Sequence, residues 1–193
     1  MGKAYANRKQ EKDRPESDYY VTPKSLVWEL IATGELDKSK LIYDPCTGDE
    51  RSLAKALIND GFTVEEDDLR TTGKDFLKCT KEYPQIVENP PFSLFDEFVL
   101  KSKELAPRAI ILGKTNFFGA YNRWNNGVWK NLKHLYIFNR QCDYRTPDRE
   151  DGLFHVGNLI TSWMVFDRDW EANWWRTSII DVQKYAKLGG FKE

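Results

Sequence analysis

The segment Leu41-Ile42-Tyr43-Asp44-Pro45-Cys46-Thr47-Gly48-Asp49-Glu50 carries the strongest structural signal in the chain. A short apolar run stops at an acid and a proline. Beyond Glu50 the spacing turns helical, with Leu53, Ala54, Ala56, Leu57 and Ile58 on one apolar side and Gly61 closing it. This is a buried strand feeding a helix through a tight turn. Similar units follow. Phe62-Thr63-Val64 runs into Glu65-Glu66-Asp67-Asp68, and Gln85-Ile86-Val87 runs into Glu88-Asn89-Pro90-Pro91. A helix from about Ser93 to Leu105 comes next, with Leu94, Phe95, Phe98, Val99 and Leu105 inward. Upstream, Thr22 reads as a helix cap and Pro23 as the first helical residue, with Leu26, Leu30 and Ile31 at helical spacing. Ala109 to Leu112, Leu135 to Phe138 and the run from Leu159 to Phe166 supply later strands. Strands alternating with helices, the early ones apolar on both faces, predict an α/β fold: a mostly parallel sheet with helices on both faces.

The chain has 193 residues, 29 basic and 30 acidic side chains, and 40% hydrophobic residues. That is enough apolar surface for one domain, expected over residues 18–193 without a separate target-recognition domain. Residues 1–17 are polar and aperiodic and read as a flexible arm. Cys46, Cys79 and Cys142 are too widely spaced for a disulfide framework or a metal cluster, so a reducing, cytoplasmic setting and no metal are expected. No apolar run approaches the length of a membrane span, and no membrane partner is expected. His134 and His155 are isolated and read as structural. Trp163, Trp170, Trp174 and Trp175 read as core packing around a late strand.

Near-neutral net charge hides an asymmetry. Between Arg108 and Arg149 stand eight basic and two acidic residues, interleaved with Phe117, Phe118, Tyr121, Trp124, Trp129, Tyr136 and Tyr144. Either this is a solvated face over core aromatics or it is a surface for a polyanion with stackable bases. In the second case Lys114, Arg123, Lys130, Arg140 and Arg145 are the candidate nucleic-acid contacts.

Ligands of open α/β sheets bind beyond the carboxyl ends of the strands. Three such ends are chemically distinctive. At the first, Asp44 can accept from a ligand amine and Gly48 lets backbone approach closely. At the second, a carboxylate of Asp67 or Asp68 can accept both hydroxyls of a ribose. At the third, two prolines in series remove backbone donors, so the Asn89 amide oxygen and the Pro90 carbonyl form a rigid acceptor fork for one amino group, with Phe92 as a stacking face.

These segments resemble a known family. Asp44-Pro45-Cys46-Thr47-Gly48 is similar to motif I of S-adenosylmethionine-dependent methyltransferases, and Asn89-Pro90-Pro91-Phe92 to motif IV of the amino-methyltransferases that act on adenine N6. Tyr20-Val21-Thr22-Pro23-Lys24 is similar to motif X. The order X, I, IV resembles the gamma group of DNA adenine methyltransferases. Short phage-encoded members also resemble the chain around Tyr144-Arg145-Thr146-Pro147 and Asp151-Gly152-Leu153-Phe154-His155. The resemblance covers roughly residues 19 to 186 and implies a Rossmann-like methyltransferase fold with S-adenosylmethionine as cofactor. It implies that Asp44, Pro45 and Gly48 form the cofactor loop, that Tyr20, Thr22 and Pro23 border the methionine, and that Asp68 or Asp67 holds the ribose. Asp75 and Phe76 would lie against the cofactor adenine, and Asn89, Pro90, Pro91 and Phe92 would hold the target amine. Glu50 departs from the glycine that usually closes motif I; it either crowds the cofactor or starts the helix.

The implied reaction is direct methyl transfer to adenine N6 in DNA, with RNA as the other nucleic-acid candidate. Two acceptors would draw the amine toward tetrahedral geometry without a strong base, and a base in a duplex would have to flip out. Two alternatives share the residues: methylation of protein glutamine, which uses the same Asn-Pro-Pro-aromatic motif, and a nucleic-acid-binding module that has lost turnover.

Overall fold

A computed structural model describes residues 20–144 and 155–182. The proposed N-terminal arm, Arg145 and most of the later resemblance segments lie outside the described residues. In chain order the elements are α1 (Lys24–Ala32), β1 (Ile42–Asp44), α2 (Ser52–Asn59), β2 (Val64–Glu66), β3 (Gln85–Glu88), α3 (Phe95–Leu105), β4 (Arg108–Lys114), α4 (Tyr121–Asn125), β5 (Leu132–Phe138), β6 (Cys142–Asp143), β7 (His155–Val156), β8 (Thr161–Asp167) and β9 (Arg176–Ile180). The main sheet has the order β2-β1-β3-β4-β8-β5-β9. β2, β1, β3 and β4 are parallel neighbours. β8 runs antiparallel to both β4 and β5, and β9 runs parallel to β5, so β8 alone is reversed.

Strand alternation sorts the core into two layers. Ile110, Leu112, Trp163 and Val165 point to the face covered by α1 and α2, where they meet Leu26, Leu30, Leu53 and Leu57. Ala109, Ile111, Met164 and Phe166 point to the other face and meet Phe95 and Val99 of α3. The expected α/β sheet with helices on both faces is therefore present. Trp163 is fully buried, and its indole N–H donates to the Leu26 carbonyl at 2.8 Å, tying the reversed strand to α1.

Several local expectations are corrected. α1 begins one residue later than expected: Pro23, at φ −58° and ψ 134°, is the cap position, and the Thr22 side chain is used elsewhere. Ile58 and Leu94, expected inward, are exposed: Ile58 falls outside the buried stripe of α2 formed by Leu53, Ala54, Ala56 and Leu57, and Leu94 belongs to a 3-10 turn, Phe92–Leu94, that precedes the start of α3 at Phe95. Of the four late tryptophans Trp163 is fully buried and Trp175 packs, half-buried, against the core on the α3 face, while Trp170 is half-buried and Trp174 is exposed. Glu50 does not start α2. The helix begins at Ser52, after Arg51 takes a left-handed conformation (φ 53°) and pairs with Glu66.

Arg108, counted in the basic segment, is structural. It opens β4, pairs with Glu35, and bonds Asp167 at 2.8 Å, while Lys133 takes the same Asp167 oxygen at 2.9 Å. His134 stacks on Tyr136 with ring centroids 3.9 Å apart, and its Nε2 lies 2.9 Å from the Ser178 hydroxyl. Burial holds its pKa below the ordinary histidine value.

Candidate functional site

Because β1, β2, β3 and β4 are parallel, Asp44, the Asp67-Asp68 pair, Asn89 and Lys114 all fall at one rim of the sheet. A cavity of about 330 Å³ opens there. Of the residues expected to hold a cofactor, Tyr20, Thr22, Asp44, Pro45, Asp68, Asp75 and Phe76 line it, joined by Asn89 and Pro91 from the third strand end. Pro23, Gly48, Asp67, Pro90 and Phe92 are not in its wall. Glu50 is exposed and is not in the wall either.

The two adjacent aspartates part ways. The backbone N–H of Asp67 donates to the Asp44 carbonyl at 2.9 Å, which extends the β1–β2 pairing and sends successive side chains to opposite sides. Asp67 accepts from the Tyr43 hydroxyl at 3.2 Å and from Lys74 at 3.0 Å. Asp68 instead faces the cavity, where its two oxygens accept from the backbone N–H groups of Arg70 (2.8 Å) and Gly48 (3.1 Å). Gly48, at φ +66°, turns its N–H toward Asp68 in a conformation that favours glycine.

Asp44 is 1% exposed. Its Oδ1 accepts from the Cys46 N–H at 3.2 Å, and its Oδ2 is buried with no partner. Burial, reinforced by the nearby acids Glu66 and Asp68, pushes its pKa up to about 7. The carboxyl is therefore only partly ionised near neutral pH, and a cation arriving beside it would favour the ionised form. Burial also holds the Cys46 thiol protonated, in keeping with a small wall residue rather than a nucleophile. Glu88, the last residue of β3, is fully buried; the Ser102 hydroxyl donates to it at 2.8 Å, and desolvation pushes its pKa well above the ordinary carboxyl value.

Asn89 is oriented by its neighbours. Its Nδ2 donates to the Tyr20 carbonyl at 2.9 Å and to the Thr22 hydroxyl at 3.1 Å. Both amide donors are consumed, so only Oδ1, which is buried and unpartnered, remains to be offered. Thr22 is thus spent on holding Asn89 and not on capping α1. The Ser52 hydroxyl donates to the Thr22 carbonyl at 2.5 Å, fastening this junction to α2.

Phe92 is 6% exposed and sits in an aromatic group rather than in the cavity. Tyr20 lies 5.2 Å away by centroids, Phe117 and Tyr144 meet it edge-on, and the Lys114 ammonium lies 4.3 Å over the ring. Asp75 caps a short 3-10 turn through the Leu77 N–H (3.1 Å), which seats Phe76 against Tyr43 and Phe98.

The basic residues are not all brought together. Lys114 is at the rim, and Arg140 is exposed two residues beyond β5 on the same side. Arg123 bonds Asp96 in the first turn of α3 at 2.5 Å and covers the Phe117 ring at 4.2 Å. Lys130 lies just before β5, at the opposite end of the sheet, where its carbonyl accepts from Lys103. Sequence reasoning passed over Ser52, Arg70, Lys74, Leu94 and Phe98, which also line the cavity. Arg70 and Lys74 had a usable signal, since they follow directly on a strand end; Ser52, Leu94 and Phe98 read only as parts of helices. Among the described residues there is no cluster able to hold a metal ion and no helix long and apolar enough to cross a membrane.

No family model matches the sequence, and no curated protein matches it. Solved structures do. The type I restriction-modification methyltransferase subunit of Streptococcus thermophilus is 12% identical with a TM-score of 0.56, over 86% of this chain and 48% of that one. A modification subunit from Vibrio vulnificus, assigned to a type I restriction enzyme, is 12% identical with a TM-score of 0.54, over 79% and 45%. The chain spans about half the length of these two subunits. A Pyrococcus horikoshii protein assigned as an RNA methyltransferase is 14% identical with a TM-score of 0.52, over 80% of this chain and 90% of that one. At these identities the likeness speaks to architecture alone, and with the sheet order and the layers described above it gives the chain a Rossmann-like methyltransferase fold.

Proposed function

We propose that the protein transfers a methyl group from S-adenosylmethionine to the N6 amino group of adenine in DNA. The observation that carries this reading is the fixed orientation of Asn89: its two donors are bound by Tyr20 and Thr22, and its oxygen alone is presented at the end of β3. A group that can only accept is what a target –NH2 requires, with the Pro90 carbonyl as the second acceptor.

The residues of the cavity fit the cofactor. The orphaned Asp44 Oδ2 suits an ammonium, Asp68 suits a ribose diol, and Phe76 with Asp75 suits an adenine. Asp68 lines the cavity, whereas Asp67 is turned out of it onto Tyr43 and Lys74, which favours Asp68 for the ribose. Tyr20 and Thr22 would border the methionine, with Pro23 behind them. When bound, the cofactor supplies an electrophilic sulfonium methyl. Asn89 and Pro90 would orient the amine lone pair toward it, so that catalysis comes chiefly from positioning; the N–C bond would form as the S–C bond breaks, leaving S-adenosylhomocysteine, and the surplus amine proton would pass to water without a strong base. A duplex would have to release the base first.

Lys114, Arg123 and Arg140 on or near the rim favour a nucleic-acid substrate. Two of the similar structures carry restriction-modification names, which favours DNA. The test is incubation with methyl-labelled S-adenosylmethionine and, separately, unmethylated DNA, RNA or glutamine-bearing protein, followed by mass spectrometry of the hydrolysates. N6-methyladenine from DNA, absent with Asn89→Ala, is the expected result. Label confined to RNA or to glutamine would replace this substrate, and no label in any of them would sink the reading.

A further inference from the structure

The proposed reaction asks Phe92 to carry a flipped base, yet the ring is already covered. Lys114 Nζ lies 4.3 Å from its centroid and 5.8 Å from that of Phe117. Phe117 meets Phe92 edge-on at 82° and is itself covered by Arg123 at 4.2 Å, so the ammonium sits chiefly over Phe92, in the corner between the two perpendicular rings. Tyr20 and Tyr144 close the remaining sides of Phe92. Lys114 is the last residue of β4, one strand over from Asn89, and its backbone is fixed by pairing with Thr161 and by the bond from the Thr115 N–H to the Ile160 carbonyl at 3.0 Å. A fixed backbone therefore carries a long side chain, and a change of its rotamer moves the ammonium off the Phe92 ring without any movement of the sheet. Purines and ammonium ions compete for the same ring face.

We propose that Lys114 is a positioning residue that holds the face of Phe92 until the extruded adenine takes its place, whereupon the displaced ammonium pairs with the phosphate of that nucleotide. This rests on the adenine reading above and goes beyond it by giving Lys114 a contact with the ring before the base arrives and one with the phosphate afterwards. It also reconciles a nearly buried Phe92 with a stacking role, because the ring is kept covered only while no base is present. The Phe92 ring would neither be exposed to water in the free protein nor need to be assembled on binding.

The test is calorimetric titration of adenosine and of adenosine 5′-monophosphate into the full chain held saturated with S-adenosylhomocysteine, so that the cofactor cavity is filled. The wild type should bind the monophosphate more tightly than the nucleoside. In Lys114→Ala the nucleoside should bind about threefold more tightly than in wild type, because no cation has to be displaced, and the preference for the phosphate should disappear. Lys114→Gln, which keeps the length and loses the charge, should lose the preference as well, and Lys114→Arg should retain it. A merely structural lysine would give weaker binding of both ligands in the variants, or no change in either; each of those results overturns the proposal while leaving the adenine reading standing. Failure of wild type and variants alike to bind either ligand overturns both.

Discussion

Replacing Asp44 by asparagine tests the electrostatics of the cavity in a way that no activity assay can. Asp44 is 1% exposed, and burial lifts its pKa from the ordinary 3.8 to about 7. A raised folded-state value means that the native protein binds the proton more tightly than the unfolded chain. The contribution of this group to stability is therefore fully present below its unfolded pKa and is lost as pH rises toward 7. Between about pH 5.5 and pH 8.5 the expected loss is about 2 kcal/mol. The asparagine side chain of Asp44→Asn cannot titrate, and its oxygen can keep the bond from the Cys46 N–H. Its amide donor replaces an oxygen that has no partner, which costs about 1–3 kcal/mol at every pH. The variant should thus begin level with or below wild type at pH 5.5 and gain on it by about 2 kcal/mol at pH 8.5. Urea unfolding of both proteins at the two pH values measures this, since groups remote from Asp44 cancel in the difference. S-adenosylmethionine affinity should rise in wild type as pH approaches about 7 to 7.5, fall again as the ligand's α-ammonium deprotonates near about pH 8, and lack the rising limb in the variant. Parallel stability profiles for the two proteins would refute the buried, proton-holding carboxyl and the ammonium site built on it.

Asn89→Ala should abolish transfer while changing S-adenosylhomocysteine affinity less than about threefold, as the residue is assigned to the amine and not to the cofactor; a comparable loss in both, by calorimetry and turnover, would move Asn89 into the cofactor site. Arg108→Ala removes a cation shared by Glu35 and Asp167 but leaves Lys133 on Asp167 and Tyr136 on Glu35, and should cost about 1–3 kcal/mol in chemical unfolding while leaving the salt dependence of DNA binding unchanged. Gly113→Ala places a Cβ 2.6 Å from the Phe95 ring and 2.9 Å from the Met164 methyl, and should destabilise by about 1–3 kcal/mol in the same assay. If Lys114, Arg123 and Arg140 each meet a phosphate, log affinity for DNA should fall against log salt with a slope near −2.7, and Lys130→Glu at the far end of the sheet should leave it unaltered.

Much of the fold was legible because the early strands are buried on both faces and so announce themselves as apolar runs, each stopped by Asp-Pro, paired acids or Asn-Pro-Pro. What was not legible is the order in which those runs pair. The apolar run Trp163 to Phe166 is consistent with a strand buried on both faces, but nothing local in Thr161 to Asp167 shows that it runs in reverse between β4 and β5, where Trp163 bonds Leu26, 137 residues earlier. β9 escaped notice for a related reason: its residues are mostly exposed, with Ile179 at 75%, so it lacks the alternation that marks a half-buried strand. Charge was the least legible property. Arg108 and Lys133 count toward a basic segment in sequence yet are neutralised by Asp167 and Glu35, which lie far from them along the chain.

The site itself shows why motif residues can be found by pattern while their roles cannot. Thr22-Pro23 has the composition of a helix start, and a helix does start there, but the threonine hydroxyl has two competing uses. A cap would satisfy one backbone donor of α1; a bond from Asn89 fixes which end of an amide faces the target. Local sequence favours the first, and the approach of β3 to the residues before α1 selects the second. Likewise Asp67 and Asp68 are equivalent in composition, and only strand alternation together with Tyr43 and Lys74 separates a structural acid from one that lines the cavity. Removing those two partners should therefore matter chemically: in Tyr43→Phe with Lys74→Met, Asp67 is left nearly buried without its cation or its hydroxyl donor, and the β1–β2 junction should loosen. Hydrogen exchange at the Asp67 and Thr47 amides, which bridge that junction at 2.9 Å and 3.0 Å, should then quicken before global unfolding does. Unchanged protection at both amides would mean that the backbone bonds alone hold Asp68 toward the cavity and that its neighbour's side chain is dispensable.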